Sequence, residues 1–206
     1  MSDSVDPSER ARVNKFEQRR LMLAESALTA IAEQGYANTG LRDVAQHSAL
    51  SHGSLHYYFD DKDDLIALAV WTYKSTCARR YDDIIATSAS GEELVQRFGN
   101  TMANTLRDDA AMHRLWYDLR NQALFTEGFR DTIIKIDALL EEMVWAIISR
   151  YAELEQRTVI VSPAIAYALF DGLFQNSLMR FFRGNAESVA TLEREAPTLL
   201  GTSTAA

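Results

Sequence analysis

Apolar residues recur at three- and four-residue intervals along almost the whole chain, and nowhere do they alternate in a sustained period of two. That spacing puts them on one face of a helix and excludes a sheet-built core. The period starts at Phe16 and runs through Arg20, Leu23/Ala24, Ala27/Leu28 and Ile31 to a stop at Gly35. It returns in Ile133, Ile136, Leu140, Met143/Val144 and Ile147, and again in Ile165, Leu169, Gly172/Leu173 and Asn176. Only three prolines and nine glycines interrupt 206 residues, too few for a loop-rich β fold. The expectation is an all-α protein of about nine helices. Three helices at the N-terminal end, up to residue 59, precede a larger helical body.

Composition narrows the class. Apolar content of 47 % and charged content of 24 % are those of a soluble globular chain. No stretch reaches the roughly 18 apolar residues of a membrane span, and "MSDSVDPSERARVNKF" lacks the apolar segment of a signal peptide. Cys77, the single cysteine, cannot form an internal disulfide, which suits a reducing, cytoplasmic setting; it reads as a passive, half-buried thiol. Residues 1–13 are polar and aperiodic and read as a disordered arm. A formal net charge of −8 argues against nucleic acid, but Arg10, Arg12, Lys15, Arg19 and Arg20 face only Glu17 across eleven residues. The basic bias is local and N-terminal, and local patches govern recognition.

The most informative stretch is "LSHGSLHYYFDDKDDL", residues 50–65. "LRDVAQHS" before it is a short helix with Leu41, Val44 and Ala45 inward. "ALS" is a tight turn, and Ser51 is an N-cap for a second short helix to Phe59. Two short helices joined by so tight a turn form a helix-turn-helix, whose second helix enters the major groove of DNA. The composition fits that task. Leu55 and Phe59 share one face and anchor the helix. Gly53 lets backbone approach DNA closely. Ser51, Ser54, His52, His56 and Tyr57 offer donors to phosphate and base edges. His52 and His56 have the four-residue spacing of metal ligands; with no cysteine beside them and the acids beyond the helix end, DNA contact is expected and no metal. Asp61 and Asp64 read as an acidic capping box for a long helix starting at Lys62, and Lys62 as a phosphate ligand. The basic cluster of residues 10–20 reads as a phosphate-contacting arm, Lys15 and Arg19 ahead of Arg10 and Arg12.

"GYANTGLRDVAQHSALSHGSLHYYFDDKDDL" resembles the TetR family of bacterial transcriptional regulators. The family's pattern joins a Gly-Tyr connector, a threonine, Arg-Asp-Ile/Val-Ala, a Gly-Val-Ser turn, Gly-x-Leu-Tyr, an aromatic or histidine before phenylalanine, and Lys-x-x-Leu. The resemblance covers residues 16–70, and "LWYDLRNQAL" is similar to the C-terminal domain of the BetI-like branch. Two departures stand out. Ala49 replaces the turn glycine, and His56 and Tyr58 exchange the usual order of tyrosine and histidine.

The resemblance implies a DNA-binding domain over residues 14–61 and an effector-binding and dimerisation domain over 62–206. It implies backbone-phosphate contacts by Thr39, Arg42, Ser51, His56, Tyr57, Tyr58 and Lys62, with His52, Gly53 and Ser54 nearest the bases. The partners implied are a palindromic double-stranded DNA operator, a second copy of the chain through the C-terminal helices, and a small-molecule effector that releases the DNA. Such a repressor works in the bacterial cytoplasm, associated with the nucleoid through its operator. Trp116, Tyr117, Arg120, Asn121, Phe125, Trp145, Phe170 and Phe174 mix apolar bulk with a few polar groups, as pocket linings do; cores and dimer seams have the same mixture. Asp171 reads as a pocket group or an interface residue. No catalytic constellation, glycine-rich phosphate loop or cofactor motif is present in the sequence, so no enzyme and no cofactor is expected. The alternative function is a helical ligand-binding or interaction module without specific DNA binding.

Overall fold

In the computed structural model, residues 7–34, 40–47 and 52–206 are described, and these form an all-α architecture. Helix α1 spans Pro7–Gln34, α2 Leu41–His47 and α3 His52–Tyr58. The long α4 (Lys62–Arg79) leads into α5 (Asp82–Thr87), α6 (Gly91–Asp108) and α7 (Ala110–Gln122). Then follow α8 (Arg130–Leu154), α9 (Pro163–Phe182) and α10 (Ser188–Thr202). Thr158–Val159 (β1) and Thr204–Ala205 (β2) make a two-residue antiparallel pair that pins the C-terminus beside the end of α8.

Helix α1 begins at Pro7, so residues 7–13, expected as part of a disordered arm, are helical. Proline is pre-set for a helix's first position, and the Glu, Arg and Ala that follow are good helix formers. The apolar stripe of α1 is fully buried at Leu23, Ala24, Ala27 and Ile31, against Leu55 and Phe59 of the α3 segment and Leu65 and Ile66 of α4. Val44 closes the same core from α2.

Caps set the helix starts. Asp61 accepts from the Asp64 amide at 2.9 Å to begin α4, Ser90 from Glu93 at 3.2 Å to begin α6, and Ser162 from Ile165 at 3.4 Å with Pro163 at the first turn of α9. The long helix expected from Lys62 ends at Arg79. At Arg80 and Tyr81 the amides bond three residues back, to Cys77 and Ala78, both at 3.2 Å. This tighter turn separates α4 from α5, which is the helix beyond the expected nine among the described residues.

Pro197 does not end α10 but sits inside it. Its missing N–H leaves the Glu193 carbonyl without the usual helical donor. That carbonyl faces Gly99 of α6 so closely that an added Cβ would lie 2.6 Å from the Glu193 oxygen and 2.9 Å from Pro197 Cγ. Glycine here is a packing requirement between two helices. Gly184, at φ +77°, ends α9 in the left-handed conformation as its place after the apolar period predicts.

Candidate functional site

Two regions concentrate polar chemistry. The first is the outward side of the head. On α3, Leu55 and Phe59 point inward, and Gly53, His56 and Tyr57, three and four residues apart, face solvent. A Cβ on Gly53 would meet nothing within 4 Å, so its backbone is open to approach. Tyr57 is 71 % exposed, its ring held edge-on by Phe16 at 5.9 Å and Tyr58 at 4.9 Å. Phe16 also packs on half-buried Tyr58 at 5.0 Å. Phe16 therefore props both tyrosines from α1.

Arg12, Lys15 and Arg19 emerge from the same side of α1 and share a shallow groove with Tyr57 and Tyr58. Phe16, Gln18 and Met22 complete its lining, and no carboxylate is among the described residues that line it. Arg20, counted with the basic arm in sequence, does something else. Its Nη2 donates to both Asp64 oxygens, at 2.7 and 2.9 Å, and its guanidinium lies 5.1 Å over the Phe59 ring. It straps α1 to α4 behind the reading helix and is not available to DNA in this arrangement. Asp64 also accepts from the Asp60 amide at 3.3 Å, so the acids of the opening motif serve the start of α4.

Of the other expected DNA-contacting residues, Arg42 is exposed on α2. Ser54 is half-buried on α3, and Lys62, at the first position of α4, is half-buried as well. Thr39, Ser51 and the variant turn residue Ala49 lie outside the described residues, as does the side chain of His52.

The second region is a cavity of about 80 Å³ inside the body. Cys77 and Lys74 reach it from α4, Phe98 and Met102 from α6, His113 and Tyr117 from α7. Leu140 and Val144 of α8 and Phe170, Asp171 and Phe174 of α9 close it. One wall is a closed polar network. Arg120 donates to Asp171 at 2.5 Å and to Asp137 at 3.1 Å. Tyr117 donates to Asp171 at 2.9 Å, and Tyr167 to Asp137 at 2.7 Å. Burial, and then the neighbouring Asp171, pushes both tyrosine hydroxyls well above their ordinary pKa, so they stay protonated donors. Asp171, ambiguous in sequence, is thus a cavity residue already ion-paired.

Among the eight pocket candidates, Tyr117, Phe170 and Phe174 line the cavity. Arg120 stands behind its wall, and Trp116, 1 % exposed, lies beneath Lys74. Trp145 is half-buried elsewhere on α8, Asn121 is exposed, and Phe125 is 85 % exposed after α7. Sequence reasoning missed Lys74 and His113, each 4 % exposed. The available signal was a lysine on the apolar stripe of α4, four residues after Val70 and three before Cys77. Burial lowers the Lys74 ammonium to about 8, opposed by Cys77 and Asp171. Burial, with Lys74 and Arg80 adding positive potential, holds His113 well below its usual value, so it is neutral.

Cys77, Asp109 and His113 place their thiol, carboxylate and imidazole within 4.8 Å of one another, a donor set a metal could use. The Asp109 carboxylate is already held by Arg80 at 2.6 Å. The histidine pair noted in sequence, His52 and His56, belongs instead to α3 on the head.

The sequence model described as "Bacterial regulatory proteins, tetR family" matches residues 23–69. The HTH-type transcriptional regulator PksA of Bacillus subtilis is 24 % identical over 180 residues, covering 84 % of this chain and 85 % of that one. A TetR transcription regulator from Haloarcula marismortui superposes with a TM-score of 0.74 at 17 % identity, over 91 % of this chain and all of that one. The regulator FadR from Bacillus subtilis, solved with stearoyl-CoA, does so with a TM-score of 0.69 at 16 % identity, over 87 % and 96 %.

Proposed function

We propose that the chain, whose residues 23–69 match the model of the tetR family of bacterial regulatory proteins, is a DNA-binding transcriptional regulator, a homodimeric repressor released from a palindromic operator by a small molecule. The observation that carries the reading is the outward face of α3, with Gly53, His56 and Tyr57 beside the α1 cations Arg12, Lys15 and Arg19. Residues 14–61 act as the DNA-binding domain and 62–206 as the effector and dimerisation domain. Within the head, Thr39, Arg42, Ser51, His56, Tyr57, Tyr58 and Lys62 contact phosphates, and His52, Gly53 and Ser54 lie nearest the bases. Two recognition helices about 34–36 Å apart would enter successive major grooves.

Dimerisation is supported by α9. Ile165, Leu169 and Met179 are exposed there, with Gly172 between them, on one stripe that advances by four, three and seven residues. Ile134 of the neighbouring α8 is also 58 % exposed. A solitary subunit would leave this apolar surface in water. The effector site is the body cavity, and the FadR neighbour's stearoyl-CoA shows that such a fold admits a ligand in that protein. The effector acts by favouring a separation of the heads that no longer matches the operator, and shifts it only by its differential affinity for the two states. Binding to an operator would put the protein at the DNA of the bacterial cytoplasm; separately, no helix among the described residues is long and apolar enough to cross a membrane. The reading gives the chain no catalytic role.

Selection of bound fragments from genomic DNA by the purified protein tests the reading. One recurrent palindrome is the expected result. Failure to enrich any sequence would instead favour a ligand-binding module without specific DNA binding.

A further inference from the structure

Most polar groups around the body cavity already have partners. Asp171, Tyr117, Tyr167 and Asp137 are joined through Arg120, and Asp109 is joined to Arg80. Two groups remain. The Lys74 ammonium, 4 % exposed, has the face of Trp116 at 4.9 Å and, among the described residues, neither a hydrogen bond nor an ion pair. The His113 Nε2, in a side chain equally buried, has no hydrogen-bond partner. Both line the same cavity.

A buried ammonium with no hydrogen-bonded partner, which Asp171 and Asp137 attract only from beyond ion-pair distance, and an orphaned buried imidazole are each costly, and natural proteins keep such groups where something else completes them. With the proton of the neutral imidazole on Nε2, the tautomer that can donate into the cavity, what completes this N–H and the ammonium is an acceptor carrying negative charge. The sign of the local field agrees, because Lys74 and Arg80 both act on His113 as positive neighbours. That field disfavours a metal at Cys77, Asp109 and His113. It also disfavours a quaternary ammonium, which the rings of Phe98, Tyr117, Phe170 and Phe174 would otherwise suit. The rest of the lining is apolar, in Met102, Leu140 and Val144. One water needs roughly 10–15 Å³ by the measure that gives this cavity about 80 Å³, so the occupant's head and first few carbons must be compact.

We propose that the effector is a compact apolar monocarboxylate, its carboxylate seated on Lys74 Nζ and the His113 Nε2–H and its hydrocarbon part among Phe98, Phe170 and Phe174. This rests on the reading of the cavity as the effector site. The test uses the full chain without DNA, so that its result is independent of operator binding, which is measured separately without acid. Benzoate, phenylacetate, hexanoate and octanoate are each compared with their uncharged amides, and benzyltrimethylammonium serves as the cationic control. At ligand about 100 times Kd, at least one acid is expected to raise Tm by roughly 5–10 °C, with its amide and the cation giving little. Lys74→Met removes the charge at near-constant volume and should abolish that shift; Lys74→Gln serves the same purpose should Lys74→Met not fold. No acid exceeding its amide, a shift that survives loss of the Lys74 charge, or a larger shift from the cation would each overturn the proposal.

Discussion

Tyr57 is held where a packed core would not want it. Its ring is 71 % exposed, yet Phe16 and Tyr58 fix it from two sides, so its hydroxyl reaches out with little rotational freedom left to lose. Tyr57→Ala is therefore expected to weaken DNA binding by roughly 10- to 100-fold, the worth of one hydrogen bond to a charged phosphate, while thermal unfolding changes little. Lys74 poses the opposite case, a charge held inside. Its folded pKa of about 8 lies below the ordinary 10.5, so above about pH 8 the unfolded chain binds the extra proton. The sign follows from linkage: the penalty of burying this ammonium is fully present below pH 8 and fades as pH rises towards 10.5. Lys74→Met should accordingly be more stable than the parent at pH 7 in denaturant titrations, with the gap narrowing by pH 10. The inward and outward residues of α3 were legible in sequence because Leu55 and Phe59 are four apart and fix the orientation of the rest. His113 was not, and for Lys74 the apolar stripe was the only signal, outweighed because a lysine in a helix is ordinarily solvent-facing until a second helix packs over it.

Among the elements, the strap from Arg20 to Asp64 and the contact of α6 with α10 illustrate what spacing alone does not carry. Arg20 shares a helix with Lys15 and Arg19, and only the position of α4 shows that it serves the fold. Arg20→Ala removes a partly exposed carboxylate pair and the Phe59 contact; the expected cost is on the order of 1 kcal/mol, read by urea unfolding, with a loosened α1 that also weakens DNA binding. Gly99→Ala should cost more, roughly 1–3 kcal/mol, because the opposing atom is the Glu193 carbonyl and backbone cannot rotate away. An unchanged urea midpoint would contradict the account of Pro197 and Gly99 as a matched pair. Pro197 stays inside α10, and its effect falls on the neighbouring helix, where Gly99 leaves room for the freed carbonyl. Caps were legible because Ser90, Asp61 and Ser162 act within three residues of themselves. The break at Arg80–Tyr81 was not, because it depends on Asp109 and on burial of Tyr81 from distant segments.

For the whole molecule, the net charge of −8 and a DNA-reading head are reconciled by separation, with Arg12, Lys15 and Arg19 gathered at the N-terminal helix. The proposed palindrome reader also needs a second copy, and the exposed α9 stripe is the surface proposed to hold it. Met179→Asp places a charge on that stripe and is expected to shift the protein from dimer to monomer in sedimentation velocity, and to lower operator affinity with it. Wild type running as a monomer would remove the basis for a two-headed mechanism. The central claim, that the exposed α3 face and the α1 cations bind DNA, is tested most directly by anisotropy titration of a selected fragment at 50 and 200 mM salt. Two heads making about 6–10 phosphate contacts predict that affinity falls roughly 10³- to 10⁵-fold between those concentrations, with Tyr57→Ala weaker at both. Affinity indifferent to salt, or unaltered in Tyr57→Ala, would contradict it.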